Sequence, residues 1–273
     1  MPTKILDDFP DWRAWLEENI DRGCERSVLV DTLTRNGFAA TSIDAAAARH
    51  LAKRNAARPP VRAAPALVKP DSGRFVLKAN TEKLELYLID DFLSESECAD
   101  LVAAGDSRLR PSGLTVDVPD SYYRTSKTCD LGLLDHPTVR VVSRRICDTL
   151  GIPDDRAEVM QLQKYEVGEE FKRHTDYFEP GTDEYTRFCG GIGNRTWTFM
   201  IYLSPVEEGG GTRFFAIDKT IQPKPGTAVV WNSLRPDGTP NPNTMHAGMP
   251  VIRGTKCIVT QWFREYAAGT PGA

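Results

Sequence analysis

The sequence predicts a mainly β fold with flanking helices, preceded by a small N-terminal helical bundle. Two observations carry this. Beyond Ala157, short β-like runs alternate with Gly/Pro turns: Val159 to Tyr165, Thr196 to Ser204, Thr212 to Phe215, Ala228 to Trp231 and Cys257 to Phe263. Many strands of this length, separated by turns, argue for an all-β sandwich or barrel carrying a few helices. Helical periodicity, by contrast, is concentrated in residues 10 to 54 and in two later stretches.

In chain order, Trp12, Trp15, Leu16 and Ile20 recur at helical spacing after Pro10-Asp11. Val28, Leu29 and Leu33 follow a turn at Arg22-Gly23, and Thr41 or Ser42 is placed to cap a third helix over Ile43 to Leu51. These define a small helical domain, residues 1–56. Residues 57–72 are rich in Ala and Pro and predict an extended linker. The main domain, 73–273, opens with strands at Phe75 to Lys78 and Leu84 to Ile89. Ser94 with Glu97 then forms a capping box ahead of a helix that turns Cys98, Leu101 and Val102 inward. Val139 to Leu150 reads as a second amphipathic helix.

At 273 residues, 40% hydrophobic and 26% charged, the composition is that of an ordinary globular enzyme. The net charge is 34 minus 38, or -4, and residues 1 to 66 balance ten basic against nine acidic side chains. Neither a nucleic-acid nor a membrane partner is expected. The N-terminus lacks an apolar h-region and no stretch is long enough to span a bilayer, which predicts a cytoplasmic protein. Six scattered cysteines, without CxxC or zinc spacing, read as free thiols.

The chemistry is signalled by His174 and Asp176, followed seventy-two residues later by His246. Residues i and i+2 on a strand project to one side of the sheet, and a distant strand can supply the third group. Two imidazoles and a carboxylate leave three positions of an octahedral Fe(II) open, a pattern suited to oxygen chemistry. Alone, His-x-Asp more often means a surface histidine beside an acid. Its context here is ordered: Tyr165-x-x-Gly168-x-x-Phe171-x-x-His174-x-Asp176, then Arg195-x-x-Thr198-x-x-x-Tyr202-Leu203, Gly209-Gly210-x-Thr212-x-Phe214 and Pro223-x-x-Gly226-x-Ala228. His246-x-Gly248-x-Pro250-Val251-x-x-Gly254-x-Lys256 follows, with Trp262 six residues on.

These motifs, and the Asp91-Phe92-Leu93-Ser94-x-x-Glu97-Cys98 start, resemble the prolyl 4-hydroxylase-like branch of the 2-oxoglutarate and Fe(II)-dependent dioxygenases. The resemblance covers about two thirds of the chain, Leu84 to Glu265. It implies a double-stranded β-helix, a cupin-like jelly roll, with Fe(II), 2-oxoglutarate and O2 as cofactors and ascorbate as an accessory reductant. His174, Asp176 and His246 match the iron ligands, and Lys256 matches the residue that pairs with the C5 carboxylate of 2-oxoglutarate. Tyr165 and Tyr202 match phenols that contact the cosubstrate, though a purely structural bond competes for each. Thr198 shares a strand face with Tyr202 and either adds a hydroxyl to that pocket or serves as a β-branched strand former.

Arg195 and Trp262 are candidates for the substrate side, with core packing the competing role for Trp262. Gly209, Gly210 and Gly211 read as a tight turn, and His50 and His136 as non-ligands. Two loops are placed to select substrate: Arg108 to Thr128, with Tyr122, Tyr123, Arg124 and Ser126, and Glu179 to Asn194. The implied reaction hydroxylates an aliphatic C–H, with succinate and CO2 as coproducts. The retained Asp176 favours hydroxylation over halogenation, while demethylation and desaturation share the same iron. A prolyl or other amino-acid residue in a peptide or protein is the first expectation for substrate, a free amino acid or small natural product the second, and a non-catalytic jelly-roll binding or scaffold protein the third. The N-terminal helices are expected to serve substrate recognition, partner binding or self-association.

Overall fold

The computed structural model describes residues 4–21, 24, 26–56, 60–62, 64, 67, 76–78, 83–113 and 123–267. Three helices come first: α1 (Pro10–Asp21), α2 (Arg26–Arg35) and α3 (Ala40–Ala56). Leu16, Ile20, Leu29, Leu33, Phe38 and Ile43 close an apolar cluster of their own. The third helix is longer than its periodicity predicts, and neither Thr41 nor Ser42 caps it. Instead Ser42 Oγ accepts the Leu6 N–H at 2.7 Å, pinning the chain start to α3. The Arg22-Gly23 turn lies outside the described residues.

The rest is β-rich. The strands are β1 (Val76–Lys78), β2 (Leu86–Ile89), β3 (Arg110–Pro111), β4 (Lys127–Asp130), β5 (Gln161–Tyr165), β6 (Phe171–His174) and β7 (Arg195–Tyr202). They continue with β8 (Val206–Gly209), β9 (Thr212–Phe214), β10 (Lys219–Ile221), β11 (Ala228–Asn232), β12 (His246–Gly248), β13 (Val251–Gly254) and β14 (Lys256–Arg264). A major sheet runs β1-β2-β11-β7-β14-β5-β4-β3, a minor sheet β10-β9-β12-β6, and β13 pairs with β8. The pairings are antiparallel.

Period-two alternation on β7 explains the layering. Trp197, Phe199 and Ile201 point to a core shared with the helices α4 (Glu95–Asp106) and α5 (Pro137–Leu150). Met200 and Tyr202 point the other way and join Phe214, Ile221 and Val251 between the two sheets. Alternating faces that are both apolar are what a strand buried on both sides requires. The predicted Ser94/Glu97 capping box is present on α4. The ends of the strands read from the sequence differ by at most two residues, within ordinary fraying.

Two departures bear on the site. Glu179 to Asn194, expected as a loop, contains a short helix, α6 (Asp183–Cys189), whose N-cap Thr182 accepts from the Tyr185 N–H. The Ala/Pro-rich stretch is not free where it is described: Ala64 and Leu67 are buried in the main core. Its small and proline residues have no helical or strand period, so their packing left no signal in the pattern. Phe75 lies outside the described residues.

Candidate active site

The cavity between the sheets is lined by Gln163, Tyr165, Phe171, His174, Asp176, Thr198, Met200, Thr212, Trp231, His246, Gly248, Lys256, Ile258, Thr260 and Trp262. Register explains the convergence. His246 on β12 lies opposite His174 on β6, so the two rings face each other with centroids 4.2 Å apart. Asp176 lies just past the end of β6 rather than on the strand, yet its carboxylate reaches the same point. One ligand atom from each of His174, Asp176 and His246 can be chosen with all three within 4.8 Å of one another. Among the described residues this is the one group of three or more His, Cys, Asp or Glu so arranged.

The two histidines are oriented by the same local device. His174 Nδ1 sits 2.7 Å from the Lys172 carbonyl and His246 Nδ1 2.9 Å from the Thr244 carbonyl, each two residues back along the chain. A carbonyl only accepts, so Nδ1 carries the proton and Nε2 keeps its lone pair for a metal. Phe171 stacks on His174 at 3.5 Å, while Phe214 and the edge of Trp231 hold His246. Burial, reinforced by the neighbouring His246 ring, pushes the His174 imidazole down to about 3, so it stays neutral. Thr198 Oγ1 donates to Asp176 Oδ2 at 2.6 Å and leaves Oδ1 facing the histidines, 3.9 Å from His174 Nε2. Two imidazoles and a carboxylate, aimed at one point, fit a divalent iron.

Lys256 opens β14 opposite Tyr165 and is 1% exposed. Its ammonium lies over the rings of Tyr165 and Tyr202, 5.0 and 5.7 Å from their centroids, and no carboxylate among the described residues pairs with it. Burial alone pushes it down to about 7. An unpaired buried cation lining a cavity is a site for an anionic ligand. Tyr165 donates to Gln163 Oε1 at 2.9 Å and lines the same cavity. The Tyr202 hydroxyl lies 2.7 Å from Thr212 Oγ1 and 3.1 Å from the Ile221 carbonyl, behind the cavity wall. Thr198 is placed on Asp176 rather than beside Tyr202.

At the Trp262 side, Arg195 forms a two-pronged pair with Glu158, Nε and Nη2 each 2.7 Å from a carboxylate oxygen. Arg264 joins the same carboxylate at 2.6 Å. Burial pushes Glu158 up, but the two guanidiniums outweigh it and hold the carboxyl at about 2. Arg195 stacks on Trp262 at 4.2 Å, fixing that indole against the cavity with its buried Nε1 unpaired. Tyr123 and Arg124 run beside β6: Tyr123 donates to the Arg173 carbonyl at 2.5 Å and Arg124 lies 4.8 Å over the Phe171 ring. Among the described residues, Arg124 bonds to neutral oxygens on Ser126, Gly113 and Thr128. Tyr122 lies outside the described residues. The triad, Lys256, Tyr165, Thr198 and Trp262 meet in the cavity, while Arg195, Tyr123 and Arg124 brace its rim. Sequence reasoning passed over Glu158, Gln163 and the two carbonyls that orient the histidines; of these only Glu158, an acid just before a β run, left any trace in the sequence.

A jelly roll holding a buried two-histidine, one-carboxylate centre beside an anion pocket defines the class as a mononuclear non-haem iron oxygenase. Comparison with known proteins narrows it. A family model, the 2OG-Fe(II) oxygenase superfamily, matches residues 160–264. The probable prolyl 4-hydroxylase 3 of Arabidopsis thaliana is 33% identical over 199 residues, 64% of this chain and 68% of that protein. The prolyl 4-hydroxylase subunit alpha-1 of Homo sapiens is 32% identical over 189 residues, 67% of this chain but 35% of that protein. The viral collagen prolyl hydroxylase of Paramecium Bursaria Chlorella virus-1, solved as its 2OG complex, superposes with a TM-score of 0.53 at 28% identity, covering 66% of this chain and 95% of that one. The chain belongs to the prolyl 4-hydroxylase-like family of 2-oxoglutarate and Fe(II)-dependent oxygenases. Its cofactors are Fe(II), 2-oxoglutarate and O2. No helix among the described residues is long and apolar enough to cross a membrane.

Proposed function

We propose that the chain hydroxylates a prolyl residue in a peptide or protein, releasing succinate and CO2. The observation that carries this is one cavity holding both halves of the requirement: three metal-ready ligand atoms within 4.8 Å and, at Lys256, a buried cation without a counter-ion. The relatives named prolyl 4-hydroxylase supply the substrate class.

His174, Asp176 and His246 would hold the iron, and Lys256 with Tyr165 would hold the far carboxylate of 2-oxoglutarate. Bound there, iron and 2-oxoglutarate supply oxidative decarboxylation and insertion of oxygen into a nearby C–H bond. The protein contributes position and dryness. Phe171, Trp231 and Met200 exclude water around the ligands, while Thr198 keeps Asp176 turned toward the histidines. Trp262, held by Arg195, lines the cavity as a stacking wall for the substrate ring. Tyr123 and Arg124 edge the opening on the other side. The retained carboxylate at 176 favours hydroxylation, since it fills the position a halide would need.

The three N-terminal helices, with their own apolar cluster, form a small separate unit that serves substrate recognition or self-association. An anaerobic titration of the iron-loaded chain with 2-oxoglutarate tests the site. A visible charge-transfer band that saturates at one equivalent is expected, and its absence overturns the reading.

A further inference from the structure

Asp176 has no ladder hydrogen bond to fix its backbone, because β6 ends at His174. The segment leaving it is instead gripped by Asn194. The Phe178 N–H donates to Asn194 Oδ1 and Asn194 Nδ2 donates to the Phe178 carbonyl, both at 2.8 Å. Asn194 is held in turn by Glu265, just past the end of β14 and 7% exposed, whose Oε2 accepts the Asn194 N–H at 2.8 Å. The other oxygen of Glu265 pairs with the guanidinium of Arg62, a residue from well outside the catalytic strands.

The Arg62 end is built in. The Val61 N–H donates to the Glu265 carbonyl at 3.0 Å, Asn232 Nδ2 donates to the Arg62 carbonyl at 3.1 Å, and Ala64 and Leu67 are buried beyond. Three glycines permit the close approaches. A Cβ at Gly238 would fall 2.2 Å from the Arg62 guanidinium carbon, and one at Gly193 would fall 2.7 Å from Glu265 Cβ. On the neighbouring turn a Cβ at Gly191 would meet Leu51 of α3 at 2.9 Å. All three glycines have positive φ, so a side chain there is strained as well as crowded.

We propose that Glu265 and Arg62 are positioning residues for Asp176, acting through Asn194, and that Val61, Arg62, Ala64 and Leu67 together act as a strap on the metal centre. The proposal rests on Asp176 being a metal ligand. Outer-sphere partners of metal ligands set affinity by orienting them, and Arg62 places that control outside residues 160–264, the stretch the family model matches.

The test uses the full chain and Co(II), read by titration and by the ligand-field spectrum, in the wild type, Asn194→Ala, Arg62→Ala and Arg62→Lys. Asn194→Ala and Arg62→Ala are expected to weaken Co(II) binding roughly three- to tenfold, less than direct outer-sphere losses, and to shift the spectrum, with Arg62→Lys restoring both. Thermal melting of the metal-free variants separates this from general instability. Wild-type affinity and spectrum in both alanine variants, with loss confined to the melting temperature, overturns the strap. Co(II) binding that survives Asp176→Ala unchanged overturns the ligand assignment beneath it.

Discussion

The Thr198 hydroxyl donates to Asp176 Oδ2 at 2.6 Å, so a residue fixed in the middle of the major sheet holds a carboxylate that lies outside any strand. One oxygen of Asp176 is thereby committed and the other aimed. Thr198→Val keeps the β-branched shape and removes the donor. It is expected to weaken metal binding about 10- to 100-fold, as loss of an outer-sphere partner does, while Thr198→Ser retains most of it. A metal titration on the three proteins is the check.

Lys256 sets the pH dependence of cosubstrate binding. Its ammonium ordinarily titrates at 10.5, and burial pushes it down to about 7 in the ligand-free fold. The unfolded chain therefore holds a proton between those values that the folded chain has released, and this group's contribution makes stability rise with pH across that window. A bound dicarboxylate reverses the shift, so binding takes up a proton above pH 7. The dissociation constant for 2-oxoglutarate is expected to be flat below about 7 and to weaken by about tenfold per pH unit above it. Isothermal titration at several pH values reads this, and Lys256→Met is expected to remove both the dependence and most of the affinity.

Glu158 neutralises two guanidiniums. With side chains of Arg195 and Glu158 still 17% and 21% exposed, Glu158→Gln is expected to cost about 2–3 kcal/mol, less than a fully buried pair. Because Arg195 fixes Trp262, the same change is expected to raise the peptide KM several-fold while the 2-oxoglutarate dissociation constant holds. Denaturant unfolding and paired substrate titrations separate the two effects.

Much of this was legible in the sequence because it depends on local periodicity and spacing. The strand that carries Thr198 and the one that Lys256 opens announce themselves by alternation and Gly/Pro turns, and the triad by the i, i+2 pair with a distal histidine, while the short strands under the two histidines are too brief to show a period. The capping box at Ser94 needs only four residues to specify it. What the pattern could not carry is contact between residues far apart in sequence. Thr198 reads as a strand former until Asp176 is seen beside it, and Arg195 as a free fork until Glu158 is found to occupy it. The third helix begins at Ala40 without the predicted cap, since Ser42 is engaged by Leu6 from another part of the chain. The Ala/Pro-rich stretch reads as linker because burial of Ala64 and Leu67 arises from fit against the core and from no repeat of their own.

If the triad and Lys256, which line one cavity, hydroxylate peptidyl proline, product and succinate must form together. The most direct measurement incubates the full chain with Fe(II), 2-oxoglutarate, O2 and a proline-containing peptide library, and follows succinate release together with peptide mass, in wild type and Asp176→Ala. Peptides heavier by one oxygen at proline are expected in step with succinate, and neither product from Asp176→Ala. Equal turnover by Asp176→Ala, or succinate-independent oxidation, would contradict that expectation.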